Sequence, residues 1–160
     1  LFRSGESIRN TTEIITRLNP NTKIIFTVSP VRHLKDGFVE NQHSKSNLIS
    51  ALQGFLNAET QANATYFPSY EIMMDELRDY RFYAQDMIHP NQIAIDYIWE
   101  RFAQTHLAAA AHPIIEQVEQ IRKRLAHRPF NPDSDSHRKF EARIQESIAD
   151  LKTRFPHMHF

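Results

Sequence analysis

The 160-residue sequence contains no cysteine and only three glycines. The lack of cysteine excludes a disulfide scaffold, a thiolate metal site and a cysteine nucleophile within this sequence. Gly5, Gly37 and Gly54 are too far apart for a phosphate loop or a dinucleotide fingerprint, which need clustered glycines. The 19 basic and 19 acidic residues cancel, so charge gives no case for general nucleic-acid binding. No run approaches the roughly 20 apolar residues of a membrane span.

The sequence that remains has the balance of a globular chain, with 41% hydrophobic and 24% charged residues. Its length is enough to bury a core. The hydrophobic pattern changes near residue 107. Residues 1–106 alternate between helix-like and strand-like segments, whereas residues 107–160 show helical periodicity alone. We therefore predict an α/β portion at 1–106 and a helical extension at 107–160.

Two strand candidates define the fold class of the first portion. Lys23–Ser29 (KIIFTVS) is a β-branched and aromatic run that predicts a strand buried on both faces, as in a parallel sheet. Ala64–Phe67 is the second candidate, and it ends before a proline. Two strands cannot form a whole doubly wound sheet. We expect this chain to supply only the last strands and helices of an α/β sandwich.

Helices are predicted around these strands from the spacing of apolar residues and from capping residues. The second helix is expected to start with Ser44 or Ser46 as its N-cap, and Pro90 is expected to occupy the first position of the fourth helix. Residues 31–44 and 78–89 are predicted to be loops. The four predicted helices span residues 4–18, 44–56, 69–77 and 90–111.

The last third predicts two amphipathic helices, residues 113–127 and 136–155, joined into a hairpin by the proline-rich segment 129–134. Each helix carries an apolar stripe that must be buried. Three partners remain open for the stripes: each other, the α/β portion, or another copy of the chain. The third alternative predicts a homodimer formed through the C-terminal helices.

The strongest candidate for chemistry is the sequence Asp86-Met87-Ile88-His89. An aspartate three residues before a histidine can accept a hydrogen bond from Nδ1–H of the imidazole. The contact fixes the tautomer and leaves Nε2 free to act as a general base. Spacing alone favours the other interpretation, a carboxylate and an imidazole that cap the start of a helix. Both interpretations stay open at this point.

Several longer runs carry a family resemblance. The sequence from Asp86 through His89 to Asn91, followed by an amphipathic helix, resembles the last conserved block of the SGNH (GDSL-type) hydrolases. Further runs are similar to the bacterial GSCFA-domain family, which is grouped with those hydrolases. These runs are Thr27–His33 (TVSPVRH), Tyr66–Ile72 (YFPSYEI), Leu77–Tyr83 (LRDYRFY) and Ser44-Lys45-Ser46. The resemblance covers roughly residues 1–106.

This resemblance implies a flavodoxin-like α/β/α sandwich with a Ser-His-Asp site, in which Asp86 and His89 would be catalytic. The family's serine lies in a Gly-Ser-Cys-Phe-Ala motif at the end of the first strand, which this sequence lacks. We therefore expect a nucleophile upstream of Leu1 and an inactive fragment in isolation. The implied function is a serine hydrolase acting on an ester, such as an acylated carbohydrate. The alternative is a non-catalytic binding or oligomerisation module that keeps the fold.

Polar residues after the first strand complete the candidate site. Ser29 is disfavoured as a nucleophile, because the following Pro30 has no N–H for an oxyanion hole. Arg32 and His33 are candidates for binding the substrate, if the strand end points to the active-site edge. The alternative is that both lie in a solvated loop.

The segment 78–83 is expected to brace the loop that carries Asp86. Arg78, Asp79 and Arg81 predict a local ion-pair network. The rings of Tyr80, Phe82 and Tyr83 predict packing, with stacking on a sugar as the alternative. We expect no cofactor, no metal, and no nucleic-acid or membrane partner. The sequence begins without a methionine and shows no signal peptide, so a cytoplasmic location is favoured.

Overall fold

A computed structural model of the chain describes residues 2–58, 63–131 and 133–160. Most of these residues are helical, and they include one small parallel sheet. The chain divides into two compact units, Leu1–Thr105 and His106–Phe160. The first unit contains the sheet and the Asp86–His89 segment, and the second contains helices.

The sheet of the first unit has two strands in the described residues, β1 (Ile24–Phe26) and β2 (Ala64–Tyr66). They pair in parallel, with Ile25 opposite Thr65. The connection between them contains the long helix α2 (Phe38–Leu56), as parallel pairing requires. The predicted parallel arrangement is therefore confirmed.

β1 is shorter and more exposed than predicted. It covers three residues rather than Lys23–Ser29, and Ile25 is 40% exposed, so burial on both faces is wrong for this strand. Pairing stops near Phe26 because the partner strand runs into Pro68, which has no N–H for a sheet hydrogen bond. Helices cover the face that carries Phe26. The face that carries Ile25 and Thr65 is open within the described residues.

Helix α1 (Phe2–Leu18) and helix α2 build the core over the covered face. Val28, Leu52 and Phe55 are buried there, and Ile8 of α1 packs against them. The ring of Phe55 meets Phe26 edge-on, with 5.8 Å between the ring centres. Burial of this apolar surface fixes α2 on the sheet.

Helix α2 begins six residues before the predicted start. Gly37 precedes it with φ at 112°, a conformation that side chains rarely adopt, and a Cβ there would collide with the Glu40 carboxylate. Ser44 and Ser46 lie inside the helix, so their assignment as N-caps is wrong. The predicted loop 31–44 is correspondingly shorter.

After β2 the chain forms a short helix, α3 (Ser69–Glu71), which continues as a π-helical turn at Ile72–Glu76. A 3₁₀ turn at Tyr80–Phe82 interrupts the predicted loop 78–89. Helix α4 (Gln92–His106) begins two residues later than predicted. These segments share a second core, whose buried members are Phe67, Ile72, Met73, Leu77, Tyr83 and Ala94.

The second unit contains a 3₁₀ turn at Ala109–Ala111, helix α5 (His112–Leu125) and helix α6 (Asp135–Arg154). Pro113 sits in the first turn of α5, where its missing N–H costs nothing. The hydroxyl of Ser134 caps α6 by accepting a hydrogen bond from the His137 N–H at 3.2 Å. Pro132 of the predicted linker lies outside the described residues.

The apolar stripes of α5 and α6 pack against each other. Ile121 of α5 and three residues of α6, Ile144, Ile148 and Leu151, form the buried core. This packing is the first of the three alternatives left open by the sequence, and the homodimer through these helices is still a prediction. A search of the described residues finds no helix with the length and apolar character needed to cross a membrane.

Candidate active site

Residues 82–84 and 89–91 are joined by backbone hydrogen bonds, and the chain then enters α4. The Ala84 N–H donates to the His89 carbonyl at 2.8 Å, and the Asn91 N–H donates to the Phe82 carbonyl at 2.8 Å. Asn91 also donates from its amide to the Arg81 carbonyl at 2.6 Å. Its amide oxygen caps α4 by accepting a hydrogen bond from Ala94 at 3.1 Å. The loop that carries Asp86 is therefore anchored at a helix start.

Pro90 belongs to these paired residues and not to the helix. It forms an isolated antiparallel bridge with Tyr83, and α4 starts only at Gln92. The prediction that Pro90 occupies the first helical position is therefore wrong. Asn91 is the N-cap of α4 instead, because its side chain accepts a hydrogen bond from an N–H that would otherwise lack a partner.

Asp86 uses its two carboxylate oxygens differently. Oδ1 accepts hydrogen bonds from the backbone N–H groups of Ile88 at 2.9 Å and His89 at 3.0 Å. Oδ2 lies 2.7 Å from Nδ1 of His89. These hydrogen bonds, led by the one from the His89 backbone, lower the pKa of Asp86 to about 2. The group is therefore an ionised carboxylate at neutral pH.

An ionised carboxylate can only accept, so the proton of a neutral His89 must lie on Nδ1. Nε2 is then left with a free lone pair. The His89 side chain is 59% exposed, and no side chain or backbone group among the described residues engages Nε2. Both halves of the arrangement expected of a general base are present, one nitrogen held and the other open.

The turn between Asp86 and His89 contains a strained residue. Met87 has φ at 60°, in the left-handed region that only glycine adopts freely, and no other described non-glycine residue has a positive φ. Such a conformation costs about 1–3 kcal/mol and persists only where neighbouring contacts impose it. Here the contacts are the Oδ1 bonds of Asp86 and a bond from the Met87 N–H to the Ala84 carbonyl at 3.0 Å.

Arg32 connects this loop to the carboxyl end of β1. Its backbone N–H donates to the Ile88 carbonyl, and its guanidinium donates to the Met87 carbonyl, both at 3.3 Å. The guanidinium also lies over the Tyr83 ring, 4.2 Å from its centre, and 5.6 Å from the centre of Tyr80. The site therefore lies beyond the carboxyl end of a parallel strand, where ligands bind in open α/β sheets.

The other predicted residues are distributed around Arg32. His33 is exposed, and its backbone N–H donates to Asn41 at 2.8 Å. Within the described residues the His33 imidazole has no hydrogen-bond or ion-pair partner. The hydroxyl of Ser29 accepts a bond from the Val31 N–H at 3.2 Å, as a turn-forming serine does.

The brace expected from segment 78–83 is partly present. Asp79 pairs with Arg81 at 3.0 Å and also accepts from the Arg81 backbone N–H at 2.9 Å, which lowers the pKa of Asp79. Tyr80 and Tyr83 pack on the Arg32 guanidinium. This contact matches the packing interpretation of the two rings more closely than a sugar platform.

Sequence reasoning missed two polar side chains that hold the end of β1. The Ser69 hydroxyl donates to the Val28 carbonyl at 2.8 Å and lies 2.6 Å from the Thr27 hydroxyl. Lys45 is 3% exposed, and its Nζ donates to the Ser29 carbonyl at 2.6 Å. Burial lowers the pKa of Lys45. The signal for both was their position in the runs that resemble the family.

A third missed interaction joins β2 to the following helix. The Tyr66 hydroxyl lies 2.8 Å and 2.9 Å from the two carboxylate oxygens of Glu71, and it donates to them. Burial, and then the neighbouring Glu71, raise the pKa of Tyr66 well above its ordinary value. The phenol is therefore neutral and acts as a donor, and it fixes α3 against the strand.

Comparisons with known proteins identify the chain's family. The family model described as the GSCFA family matches residues 3–102. A second model, described as the GSCFA domain protein C-terminal domain, matches residues 118–160. No curated protein and no solved structure matches the chain. With the first match covering well over half of the sequence and the second covering most of the remainder, the chain belongs to the GSCFA family.

Proposed function

We propose that this chain carries the general base of a serine hydrolase of the SGNH type, which cleaves an ester such as an acyl group on a carbohydrate. His89 is the base and Asp86 orients it. The nucleophile is a serine that these 160 residues do not supply. The same proposal takes the small sheet as part of a larger flavodoxin-like sandwich.

One observation carries this proposal. Asp86 Oδ2 lies 2.7 Å from His89 Nδ1, while Nε2 of the half-exposed imidazole is left open among the described residues. A histidine that only caps a helix would not need one ring nitrogen held and the other left open. Helix α4 is capped by Asn91 instead. The helix-capping interpretation of the pair is therefore less well supported.

In the proposed reaction His89 Nε2 removes the proton from the serine hydroxyl as the oxygen attacks the ester carbonyl. The ester C–O bond then breaks, and the imidazolium returns its proton to the departing alcohol. A water molecule, deprotonated in the same way, releases the acid from the acyl-enzyme. Asp86 stays ionised throughout, because its pKa of about 2 lies far below that of a proton carrier at neutral pH.

Arg32 and His33 are proposed to contribute to substrate binding. Arg32 has donors beyond the one used on the Met87 carbonyl, and the exposed His33 follows it on the same segment. Arg32 also has a positioning role, because its two hydrogen bonds hold the backbone of Met87 and Ile88. The homodimer through α5 and α6 remains a proposal, and so does the non-catalytic module as the alternative function.

The test is ester hydrolysis by the full-length protein with Asp86 changed to Asn. An asparagine keeps the size of the side chain but presents a donor where Oδ1 or Oδ2 accepts, so it disturbs the tautomer. We expect kcat for p-nitrophenyl acetate to fall by about 10³–10⁴-fold with an unchanged circular dichroism spectrum. Asp96→Asn is the matched control, since Asp96 is an exposed carboxylate on α4.

Asp96→Asn is expected to keep full activity. Undiminished hydrolysis by Asp86→Asn would contradict the assigned role. A full-length protein that hydrolyses no ester, with or without these substitutions, would favour the non-catalytic alternative.

A further inference from the structure

A cavity of about 300 Å³ lies beside the Asp86–His89 loop at the carboxyl end of β1. Its walls come from the segment after the strand, from the first half of α2 and from two tyrosine rings. The polar and aromatic residues of its lining are Arg32, Phe38, Asn41, Gln42, Lys45, Tyr70 and Tyr80. The reaction proposed above requires the Asp86–His89 pair, and neither of those two residues lines this cavity.

Lys45 is the unusual member of this set. It is 3% exposed, and its ammonium has three N–H donors, of which one bonds to the Ser29 carbonyl. Nζ also lies 5.8 Å from the centre of the Tyr70 ring, a weak cation–π contact. In the described part of the chain no carboxylate comes within ion-pair distance of Lys45.

Such a lysine is costly for the fold, because buried charges in proteins are normally paired. The lowered pKa of Lys45 reflects the same cost. Lys45 therefore brings to the cavity lining a positive charge that no carboxylate of the described residues neutralises.

Arg32 supplies a second positive charge to the lining of the cavity, from the segment that follows β1. Its guanidinium has five N–H donors, and the hydrogen bond to Met87 uses one of them. Among the described residues, none of those that line the cavity is acidic. Two cationic side chains thus face a cavity large enough for a small ligand, and the tyrosine rings offer it an apolar surface.

We propose that this cavity binds an anionic group, a carboxylate or a phosphate, held by Lys45 and Arg32. Tyr70 and Tyr80 contact the remainder of the ligand, and the amides of Asn41 and Gln42 offer it further hydrogen bonds. The site is distinct from the Asp86–His89 pair, but it shares Arg32 with the loop that carries the pair. The proposal does not depend on hydrolysis.

The experiment is a titration of the chain with inorganic phosphate and, separately, with acetate, at constant ionic strength set by chloride. The readout is the NMR signal of the Lys45 side chain, with isothermal calorimetry for the dissociation constant. We expect a saturable shift with at least one of the two anions. Saturation with phosphate alone assigns a phosphate ligand, and saturation with acetate alone assigns a carboxylate.

Lys45→Met and Arg32→Met are each expected to weaken the binding by at least about tenfold, or about 1.4 kcal/mol. Lys35→Met is the matched control, since Lys35 is an exposed lysine in the short 3₁₀ turn Leu34–Asp36 and does not line the cavity. It is expected to bind as the unchanged chain does.

Circular dichroism of each variant separates lost binding from lost folding, and the two methionine variants serve as independent checks on each other. The absence of a saturable shift with both anions would overturn the proposal. So would equal binding by Lys45→Met, Arg32→Met and the control. Failure of the hydrolase assay would leave this result unaffected, because the titration measures no reaction.

Discussion

At the scale of single residues, the side chain of Asp86 accepts hydrogen bonds from three donors, and these bonds determine the geometry of the site. The two backbone bonds to Oδ1 fix the turn, and the bond from Oδ2 fixes the imidazole. A longer carboxylate would move Oδ2 away from Nδ1, and an asparagine would place a donor against one of the three donors. Aspartate is therefore the side chain that can hold both the turn and the imidazole of His89.

The titration of Asp86 is a direct consequence of these contacts. Its pKa is lowered from 3.8 to about 2, so its stabilising effect is fully present above pH 3.8 and is lost as the pH falls through about 2. NMR titration of the Asp86 carboxyl carbon should give a midpoint near 2, and the spectrum of Asp86→Asn identifies the signal. A midpoint at the ordinary value of 3.8 would show that the three hydrogen bonds are not formed in solution.

The sequence predicts the Asp86–His89 contact, but it does not predict the backbone conformation and the distant hydrogen bonds that hold the loop. Asp86 and His89 are three residues apart, so a single turn brings their side chains together, and spacing alone suggests the bond. Methionine rarely adopts a left-handed backbone conformation, so the residue type does not predict the positive φ of Met87. The hydrogen bonds from Arg32 reach 55 and 56 residues along the chain, and no local pattern can indicate such a separation.

At the scale of elements, the end of β1 depends on side chains from α2 and α3. After pairing stops, the carbonyls of Val28 and Ser29 have no sheet partner, and Ser69 and Lys45 bind them instead. Buried carbonyls without partners are costly. These two contacts therefore direct the segment that leads to Arg32 and hold it towards the loop of Asp86.

Ser69→Ala tests this role. The substitution leaves the Val28 carbonyl and the Thr27 hydroxyl without their partner at a site where Ser69 is 6% exposed. We expect the free energy of unfolding to fall by about 1–3 kcal/mol in urea denaturation. Ser7→Ala, at an exposed serine of α1, is the matched control and should change the free energy of unfolding by less than about 0.5 kcal/mol. Equal effects of the two substitutions would argue against the role of Ser69.

The pairing of α5 and α6 gives a second prediction at this scale. Leu151 is 1% exposed in their shared core, so Leu151→Ala should cost about 2–5 kcal/mol. Amide hydrogen exchange in α6 measures the local loss. Leu125→Ala, at a leucine that is 47% exposed on α5, should cost less than about 1 kcal/mol. Unchanged exchange in α6 after Leu151→Ala would contradict the packing described for the two helices.

Element types were predicted better than element ends. Apolar spacing indicates the helices, because it reports which side is buried. Their starts depend on single conformations that spacing does not reveal. Gly37 begins α2 through a positive φ, and Asn91 begins α4 through its side chain. The π-helical turn at Ile72–Glu76 has the same apolar composition as an α-helix, so the sequence could not distinguish it.

At the scale of the whole molecule, the chain combines a small α/β unit with a helical unit. The parallel pairing of β1 and β2 follows from the long helical connection between them, which the sequence shows. The exposure of Ile25 does not follow, because the hydrophobicity of a strand cannot tell whether both of its faces are covered. The larger SGNH-type sandwich therefore remains a proposal, and the membership of the GSCFA family is its support.

The proposed hydrolysis requires His89 as the proton acceptor, and the activity of His89→Ala tests this requirement. The hydrolysis of p-nitrophenyl acetate by the full-length protein is compared with that of His89→Ala, with His43→Ala as the control at an exposed histidine of α2. We expect His89→Ala to lower kcat/KM by about 10³-fold or more, and His43→Ala to leave it unchanged. Full hydrolysis by His89→Ala would contradict the role of His89 and the assignment of the site.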